Sequence, residues 1–417
     1  MNQTIKTRIE QIGRGEVPEG YRKTKAGIMP DAWLSDKIYK AKDVFYSVTN
    51  KKHNGQFEVL SATQDRGVIP RSQVDIDIKY SEESISGYKK VDKGDFVISL
   101  RSFQGGIEYS EYEGLVSPAY TVLKNKLPIC DGYYKAYFKT NDYINRLNKG
   151  TYGIRDGKQV GFEDFGDMVI HYPSLLEQER IAEILDTQDK LIALKEKRIA
   201  EKKQQKKYLM QQLLTGKKRL PGFTGEWGQE RLCDFCGFIG GGTPDTKCKE
   251  FWEGDIPWLS SSDIEEGNPF NIQISRYITR EAIEKSATKI CPQGTILIVS
   301  RVGVGKIGLA TRPLCTSQDF TNLLQTKHNN IYLIYALALL LQQISTAAQG
   351  TSIKGIPAQE IKKYVVQLPS IKEQQAIADI LSKADKEIEL LQKDLEEEKT
   401  KKKALMQLLL TGIVRVV

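Results

Sequence analysis

Residues 173–216 are PSLLEQERIAEILDTQDKLIALKEKRIAEKKQQKKYLMQQLLTG, and residues 369–412 are PSIKEQQAIADILSKADKEIELLQKDLEEEKTKKKALMQLLLTG. The second segment follows the first at a constant offset, 369 − 173 = 196, without a gap. Neither segment has Gly or Pro between its ends, and both are rich in residues that favour helices. A Ser in second place with a Glu three residues later has capping-box spacing, and a closing Gly is typical of a helix end. The sequence therefore predicts two equivalent long helices.

Apolar residues recur every seven positions in both segments, and a Lys interrupts both rows in the same heptad. The rows are Leu185, Ile192, Ile199 and Leu213, and Leu381, Ile388, Leu395 and Leu409, with Lys206 and Lys402 as the interruptions. This spacing is typical of a coiled-coil seam. The alternative is a long exposed helix with solvated charges, but two copies in matching register favour a helix pair, antiparallel because the connection is long. About forty residues at about 1.5 Å each give a rod about 60 Å long.

The globular parts of the chain are duplicated as well, although more loosely. Residues 34–172 and 228–368 align at an offset of 200, which pairs Gly94 with Gly294 and Arg101 with Arg301. Both blocks contain short strand-like runs between turn residues. We therefore predict an α+β fold built by tandem duplication: residues 1–172 as the first globular domain, 173–216 as the first helix, 217–368 as the second domain and 369–417 as the second helix with its tail.

Composition limits the classes of protein to consider. The chain has 417 residues, 27% charged side chains and a net charge of +8, which fits several soluble domains and permits nucleic-acid binding without requiring it. The opening MNQTIKTRIEQIG is polar, and the apolar run 331–341 is too short to span a bilayer. Six Cys residues without paired spacings indicate reduced thiols. We expect a cytoplasmic protein.

Motifs for catalysis or metal binding are weak. Gly305-Lys306 resembles the end of a P-loop, but Ser300 stands at the position of the first Gly and Ile307 at that of the Ser/Thr. The sequence lacks the Pro-Pro of an amino-methyltransferase motif. Cys233 and Cys236, together with Cys248, could be metal ligands, but no second close pair follows, so buried, unreactive thiols are the expectation. The sequence gives no reason to expect catalysis or a metal.

Basic residues beside Gly in predicted loops are candidates for DNA binding, because Arg pairs with guanine or phosphate and Lys pairs with phosphate. The main candidates are Arg101, Arg155 and Lys158 in the first block and Arg301, Lys306 and Lys354 in the second, with Arg71 and Ser261 added. Further polar candidates are Lys51, His53, Gln64, Arg66, Ser260, Ser262, Gln318 and Asp319. The alternative for each is an ordinary turn with a solvated side chain. The basic run 202–207 on the helix also has two interpretations, a contact with phosphate or a solvated face.

The chain resembles the specificity (S) subunits of type I restriction–modification systems. The resemblance rests on the two P-x-x-x-E-Q helix starts, the two Leu-Leu-Thr-Gly helix ends, and residues 241–244 (GGTP) followed by 252–258 (WEGDIPW). It covers nearly the whole chain. One departure is Ser174 and Ser370, where the family often has a second Pro; Ser also caps a helix well.

The resemblance implies that each block is a target recognition domain for one half of a split DNA site, and that an antiparallel coiled coil sets the spacing. It implies that two modification subunits dock on the helices, which makes the eight heptad residues above partner-binding candidates. Those subunits methylate adenine with S-adenosylmethionine, and restriction subunits use ATP and Mg. The S subunit itself has no cofactor and no catalysis. Two other hypotheses are a fused methyltransferase or nuclease, disfavoured by the missing motifs, and a coiled-coil scaffold without DNA specificity.

Overall fold

A computed structural model describes residues 3–34, 37–53, 55–74, 85–150, 160–324, 326–347 and 355–416. The chain forms two compact units, residues 1–194 with 395–417 and residues 195–394. Each unit therefore takes one globular block and a part of both long helices. The second unit is one continuous stretch, whereas the first is made of two, because the end of the second long helix and the tail after it belong to the first unit.

Both units combine short strands with helices. The α-helices are α1 (Gln3–Gly13), α2 (Ala41–Val44), α3 (Ser102–Gly105), α4 (Asp131–Tyr137), α5 (Asn141–Gly150), α6 (Phe162–Gly166), α7 (Leu175–Leu213), α8 (Leu232–Phe235), α9 (Arg280–Glu284), α10 (Asn330–Ala347), α11 (Ala358–Lys362) and α12 (Ile371–Leu410). The strands of the first unit are β1 (Tyr21–Thr24), β2 (Gly27–Pro30), β3 (Phe45–Val48), β4 (Leu60–Thr63), β5 (Gly67–Pro70), β6 (Lys89–Val91), β7 (Phe96–Ile98), β8 (Glu108–Tyr109), β9 (Gly114–Val116) and β10 (Thr121–Asn125). Those of the second are β11 (Gly228–Arg231), β12 (Gly237–Gly240), β13 (Ile256–Leu259), β14 (Arg276–Ile278), β15 (Ile290–Cys291), β16 (Ile296–Val299), β17 (Ile307–Leu309), β18 (Leu314–Thr316), β19 (Phe320–Leu324) and β20 (Val365–Leu368).

The first unit is built on a four-stranded antiparallel sheet with strand order β3-β10-β7-β8. Strand β7 is fully buried, as an apolar central strand requires. Aromatic side chains dominate the core between this sheet and α4: Phe45 meets Tyr134 edge to face at 5.1 Å, and Phe96 meets Phe138 in the same way at 5.4 Å. Leu185 of α7 packs in this core.

The second unit repeats this sheet with strand order β12-β19-β16-β17, and adds a mixed sheet with order β14-β13-β18-β15. In the added sheet β13 runs parallel to β18, whereas the other neighbours are antiparallel. Helix α10 provides the largest part of the core with its buried Tyr332, Leu333 and Leu337. Leu213 of α7 and Leu381 of α12 pack on the same core.

The long helices α7 and α12 run antiparallel within each unit. In the first unit Gln188 donates to the carboxylate of Glu398 at 2.6 Å. In the second unit Lys195 pairs with Asp394 at 2.6 Å, and Lys202 pairs with Glu387 at 2.7 Å. As the residue number increases along α7, the number of its partner on α12 decreases, so the helices are antiparallel. These pairs and the two repeated blocks confirm the predicted α+β fold with paired helices. None of the helices in the described ranges is both long and apolar enough to cross a bilayer.

The Glu-Gln motif at each helix start joins the helix to its own unit. Ser174 accepts a hydrogen bond from the backbone N–H of Glu177, as half of a capping box would. Gln178 donates to the carbonyl of Pro173 at 2.9 Å and accepts from the N–H of Cys130, the residue before α4, at 2.9 Å. At the second helix Gln374 makes the same two contacts, to Pro369 and to the residue before α10, Asn329.

The glutamate of the motif does not complete the capping box but binds an arginine that follows a helix end. Glu177 is fully buried, pairs with Arg415 and accepts a hydrogen bond from the indole N–H of Trp33 at 2.8 Å. Buried Glu373 pairs with Arg219 through two hydrogen bonds, of 2.7 and 2.8 Å. The two arginines are 415 − 219 = 196 residues apart, so the tandem repeat includes this contact.

Candidate nucleic-acid interface

Four loops of the second unit meet at one edge, after β12, β13, β16 and β18. Backbone hydrogen bonds join them: Gly242 N–H to the carbonyl of Thr316 at 2.8 Å, Ser317 N–H to that of Leu259 at 2.8 Å, and Ser300 N–H to that of Asp319 at 2.7 Å. The loops are therefore fixed to one another through their backbones, and their polar side chains project from a shared edge.

Arg301 and Lys306 lie in the tight β16–β17 hairpin of this edge. Gly303 and Gly305 have φ values of +84° and +100°, which side chains other than Gly rarely adopt, so the turn needs both. The side chain of Arg301 is exposed. Half-buried Lys306 donates to the carbonyl of Ser261 at 3.2 Å, which connects the hairpin to the loop after β13. Three of the predicted DNA-binding residues thus come together.

The loop after β12 has no room for a side chain at Gly241. A Cβ on Gly241 would lie 2.0 Å from the carbonyl oxygen of Ser317, a contact that real Cβ atoms do not make. Thr243, which follows, donates its hydroxyl hydrogen to the side-chain oxygen of exposed Gln318. An amide group held in this way can form two hydrogen bonds with an adenine base. The further candidate Gln318 therefore belongs to this edge.

The first unit places fewer of the candidates together. Arg101 precedes α3 and its side chain is exposed. Arg71 is half-buried and donates to the hydroxyl of Ser61 at 3.3 Å, so it also holds the β4–β5 hairpin. Arg66 at the turn of that hairpin is exposed and donates to the carbonyl of Gln73 at 3.2 Å. Arg155, Lys158 and Lys354 lie outside the described residues.

The rows of apolar heptad residues lie inside the units. Leu185, Leu213, Leu381 and Leu409 pack in the cores of the globular blocks, whereas Ile199, Ile388 and Leu395 are 7–8% exposed and Ile192 is half-buried. The seam residues therefore serve packing within the chain. Contacts with a further protein would use other positions on the same helices.

The two interrupting lysines are paired with carboxylates of the opposite helix. Lys206 binds Asp385 in the second unit, and Lys402 binds Asp189 in the first. The two pairs are equivalent in the repeat: Lys206 corresponds to Lys402 and Asp189 to Asp385, since 206 + 196 = 402 and 189 + 196 = 385. The interruptions are therefore equivalent interhelical ion pairs, which the sequence pattern alone did not show.

The cysteines correspond only partly to the expectation of buried thiols. Cys236 and Cys248 are half-buried, and burial raises the pKa of the Cys236 thiol to about 12. Cys233 is exposed, so the expectation is wrong for this residue because its helix α8 buries Leu232 and Phe235 instead. Within the described ranges no three His, Cys, Asp or Glu side chains are grouped closely enough to hold a metal ion.

Three relatives are similar to this chain in sequence. The Type I restriction enzyme MjaIX specificity subunit of Methanocaldococcus jannaschii is 33% identical over 170 residues, which is 39% of either chain. The EcoR124I/EcoR124II specificity subunit of Escherichia coli is 33% identical over 244 residues, 54% of this chain and 58% of that one. These two matches span about half the length of the relatives or less. The putative MjaX specificity subunit is 26% identical over 437 aligned residues, 95% of this chain and 97% of that one.

Solved structures with little sequence identity share the fold. One chain, from a study entitled "Structural basis underlying complex assembly and conformational transition of the type I R-M system", matches with a TM-score of 0.61 at 16% identity, covering 96% of this chain and all of that chain. The type I restriction–modification S subunit of M. genitalium matches with a TM-score of 0.53 at 13% identity, covering 89% of this chain and 95% of that one.

The family model described as the type I restriction modification DNA specificity domain matches twice, at residues 36–204 and 224–398. Each match contains one globular block and a large part of the long helix that follows it. The predicted resemblance is confirmed, and this chain belongs to the type I restriction–modification DNA specificity family.

Proposed function

We propose that this chain is the DNA-recognition subunit of a type I restriction–modification complex, in which each unit binds one half of a two-part DNA sequence. The observation that carries this proposal is an equivalence between the units. Exposed Arg101 and Arg301 follow β7 and β16, which hold the same place in the two four-stranded sheets. Two related blocks that present a guanidinium at the same point are suited to two separate stretches of DNA.

DNA binding by purified complex tests this assignment. Arg301→Ala is expected to weaken binding to the native site about tenfold or more, because one bidentate arginine–guanine pair contributes about 1–3 kcal/mol. Arg101→Ala is expected to act in the same way on the other half of the site. Arg180→Ala removes an equally exposed arginine from α7 and is the matched control, with unchanged binding. Wild-type affinity in both loop variants would contradict the proposal.

The chain itself recognises DNA, and partner subunits contribute the chemistry. Modification subunits use S-adenosylmethionine to methylate adenine, and restriction subunits use ATP and Mg. This division of roles is supported by the similarity to proteins that are named specificity subunits. In a host cell these reactions take place on chromosomal or invading DNA in the cytoplasm. A scaffold without DNA specificity is less well supported, because the loops of the second unit share one polar edge.

The outer faces of the long helices support the docking of two identical partners. A row of exposed residues on α7 has the same chemistry as its repeat on α12. The rows are Glu183, Lys190 and Leu194 in the first unit, and Asp379, Lys386 and Leu390 in the second. Other exposed positions differ between the repeats, among them Leu176 with Lys372 and Tyr208 with Ala404.

Exposed positions are free to diverge after a duplication unless something binds them. Leu194 and Leu390 are 65% and 60% exposed, so both repeats present an apolar side chain to solvent at this position. We propose that each row receives one modification subunit, which contacts the leucine with an apolar side chain and the neighbouring lysine with a carboxylate.

The number of bound subunits tests this docking surface. Leu194→Asp is expected to release one modification subunit, because a carboxylate cannot be buried in an apolar contact without a partner. Leu390→Asp is expected to release the other, and the double variant both. Leu176→Asp is the control, since Leu176 is 57% exposed but has lysine at its repeat position. Mass photometry of the assembled complex gives the count, and full assembly of the double variant would rule the surface out.

A further inference from the structure

Lys139 lies behind the candidate DNA-binding loops of the first unit and contacts three different groups. It follows α4, and its ammonium group donates to the carbonyl of Gln64 at 3.2 Å and to that of Gly105 at 2.8 Å. Its third contact is the carboxylate of Glu108 at 2.5 Å. An ammonium group has three hydrogens, so this arrangement uses all of them.

The two carbonyls belong to separate loops. Gln64 begins the turn between β4 and β5, the turn that also contains exposed Arg66. Gly105 is the last residue of α3, the short helix that follows exposed Arg101. A Cβ on Gly105 would lie 2.7 Å from the Cγ atom of Gln64, so the two loops are already in contact. Lys139 binds both at this point of contact.

Glu108 determines where the ammonium group lies. Its side chain is 2% exposed, against 27% for Lys139, and its Oε2 atom has no hydrogen-bond partner among the described residues. Burial raises the pKa of Glu108 to about 7, and the charge of Lys139 opposes that change. A buried carboxylate with few donors binds a neighbouring cation firmly, because no water replaces it.

We propose that Lys139, held in place by Glu108, is a positioning residue for DNA recognition by the first unit. It keeps α3 and the β4–β5 turn at a set distance, and so controls how Arg101 and the polar side chains of the turn meet the bases. This inference rests on the proposed function. In the second unit a lysine also joins two neighbouring loops, but it belongs to one of them: Lys306 of the β16–β17 hairpin donates to the carbonyl of Ser261 in the loop after β13.

The test uses the full chain in its complex with modification subunits, on the DNA site determined with the wild type. Affinity is measured for the native site, for sites with a base pair changed in the half bound by the first unit (the first half), and for sites with a base pair changed in the half bound by the second unit (the second half). Lys139→Met is expected to reduce discrimination in the first half about tenfold and to leave discrimination in the second half unchanged. Lys139→Arg is expected to restore most of the loss, because arginine can donate to the same carbonyls.

Lys135→Met is the matched control. Lys135 lies on the adjoining helix α4 and pairs with Glu111 at 2.5 Å, but both side chains are more than half exposed. Discrimination unchanged in folded Lys139→Met, or lost equally in both halves, overturns the proposal. If Lys139→Met does not fold, Glu108→Gln is measured in the same assay. A loss of discrimination confined to the half-site bound by the first unit supports the proposal, and unchanged discrimination overturns it. A wild-type complex that discriminates in neither half would refute the proposed function instead.

Discussion

The equivalent ion pairs Lys206–Asp385 and Lys402–Asp189 have the same chemistry but differ in burial, which gives a prediction. The side chains of Lys206 and Asp385 are 11% and 20% exposed, whereas those of Lys402 and Asp189 are 29% and 52% exposed. Both lysines interrupt the same heptad row in equivalent positions. Replacement of either lysine by methionine keeps an unbranched side chain, one atom shorter, and removes the ammonium group with its charge and its hydrogen-bond donors.

The expected costs follow from the surroundings of the remaining aspartate. Removal of one partner from a buried ion pair costs about 3–5 kcal/mol, because a buried charge stays behind. Asp385 keeps the hydrogen bond from the hydroxyl of Tyr335 at 2.6 Å, so Lys206→Met falls at the low end, about 3 kcal/mol. An exposed pair contributes about 0–1 kcal/mol, and Lys402→Met is expected to lie in that range because water solvates Asp189.

Urea unfolding of the full chain measures both costs, and hydrogen exchange assigns each to its unit. A double-mutant cycle with Asp385→Asn is expected to give a coupling energy of about 2 kcal/mol or more. The matching cycle of Lys402 with Asp189→Asn is expected to stay below about 0.5 kcal/mol. Equal costs for the two lysine variants, or a coupling below about 1 kcal/mol in the second unit, would refute the argument from burial.

Two further predictions concern the first unit. Burial lowers the pKa of His171 to about 4, so its stabilising contribution is present above the ordinary value of 6.5 and is lost as the pH falls from 6.5 to 4. Over that window the wild type is expected to lose about 3 kcal/mol relative to His171→Gln, measured by urea unfolding at several pH values, and parallel profiles would contradict this. Gly106→Ala is expected to cost about 2 kcal/mol or more, because Gly106 has φ +81° and a Cβ would lie 2.1 Å from the carbonyl oxygen of Phe138; a thermal melt equal to that of the wild type would show that the loop can relax.

The repeat allowed much of the fold to be predicted from the sequence. Two copies of a pattern constrain each other, so the start of each long helix could be placed within two residues, at Leu175 and Ile371. The capping role of Ser174 was also predictable, since it depends on residues three apart. The ion pairs of the buried glutamates could not be predicted from local spacing, because their arginines are 415 − 177 = 238 and 373 − 219 = 154 residues away.

The candidate DNA interface was predictable in part. Arg301, Lys306 and Ser261 were selected as basic or polar loop residues, and the structure brings them together in one unit. Lys139 was missed, because it is neither beside a glycine nor in a predicted loop, and its function arises only from two carbonyls and a carboxylate that the chain folds around it.

By itself the sequence determined the helices, the duplication and the family, since these depend on periodicity and on residues that are neighbours along the chain. Only the tertiary structure decided which charge meets which. It turned two breaks in a heptad pattern into ion pairs, and it placed Lys206 in a protected position but Lys402 in a more exposed one. The physical reason is that the burial of a side chain depends on every element packed around it. A local sequence pattern does not show which distant segments of the chain these are.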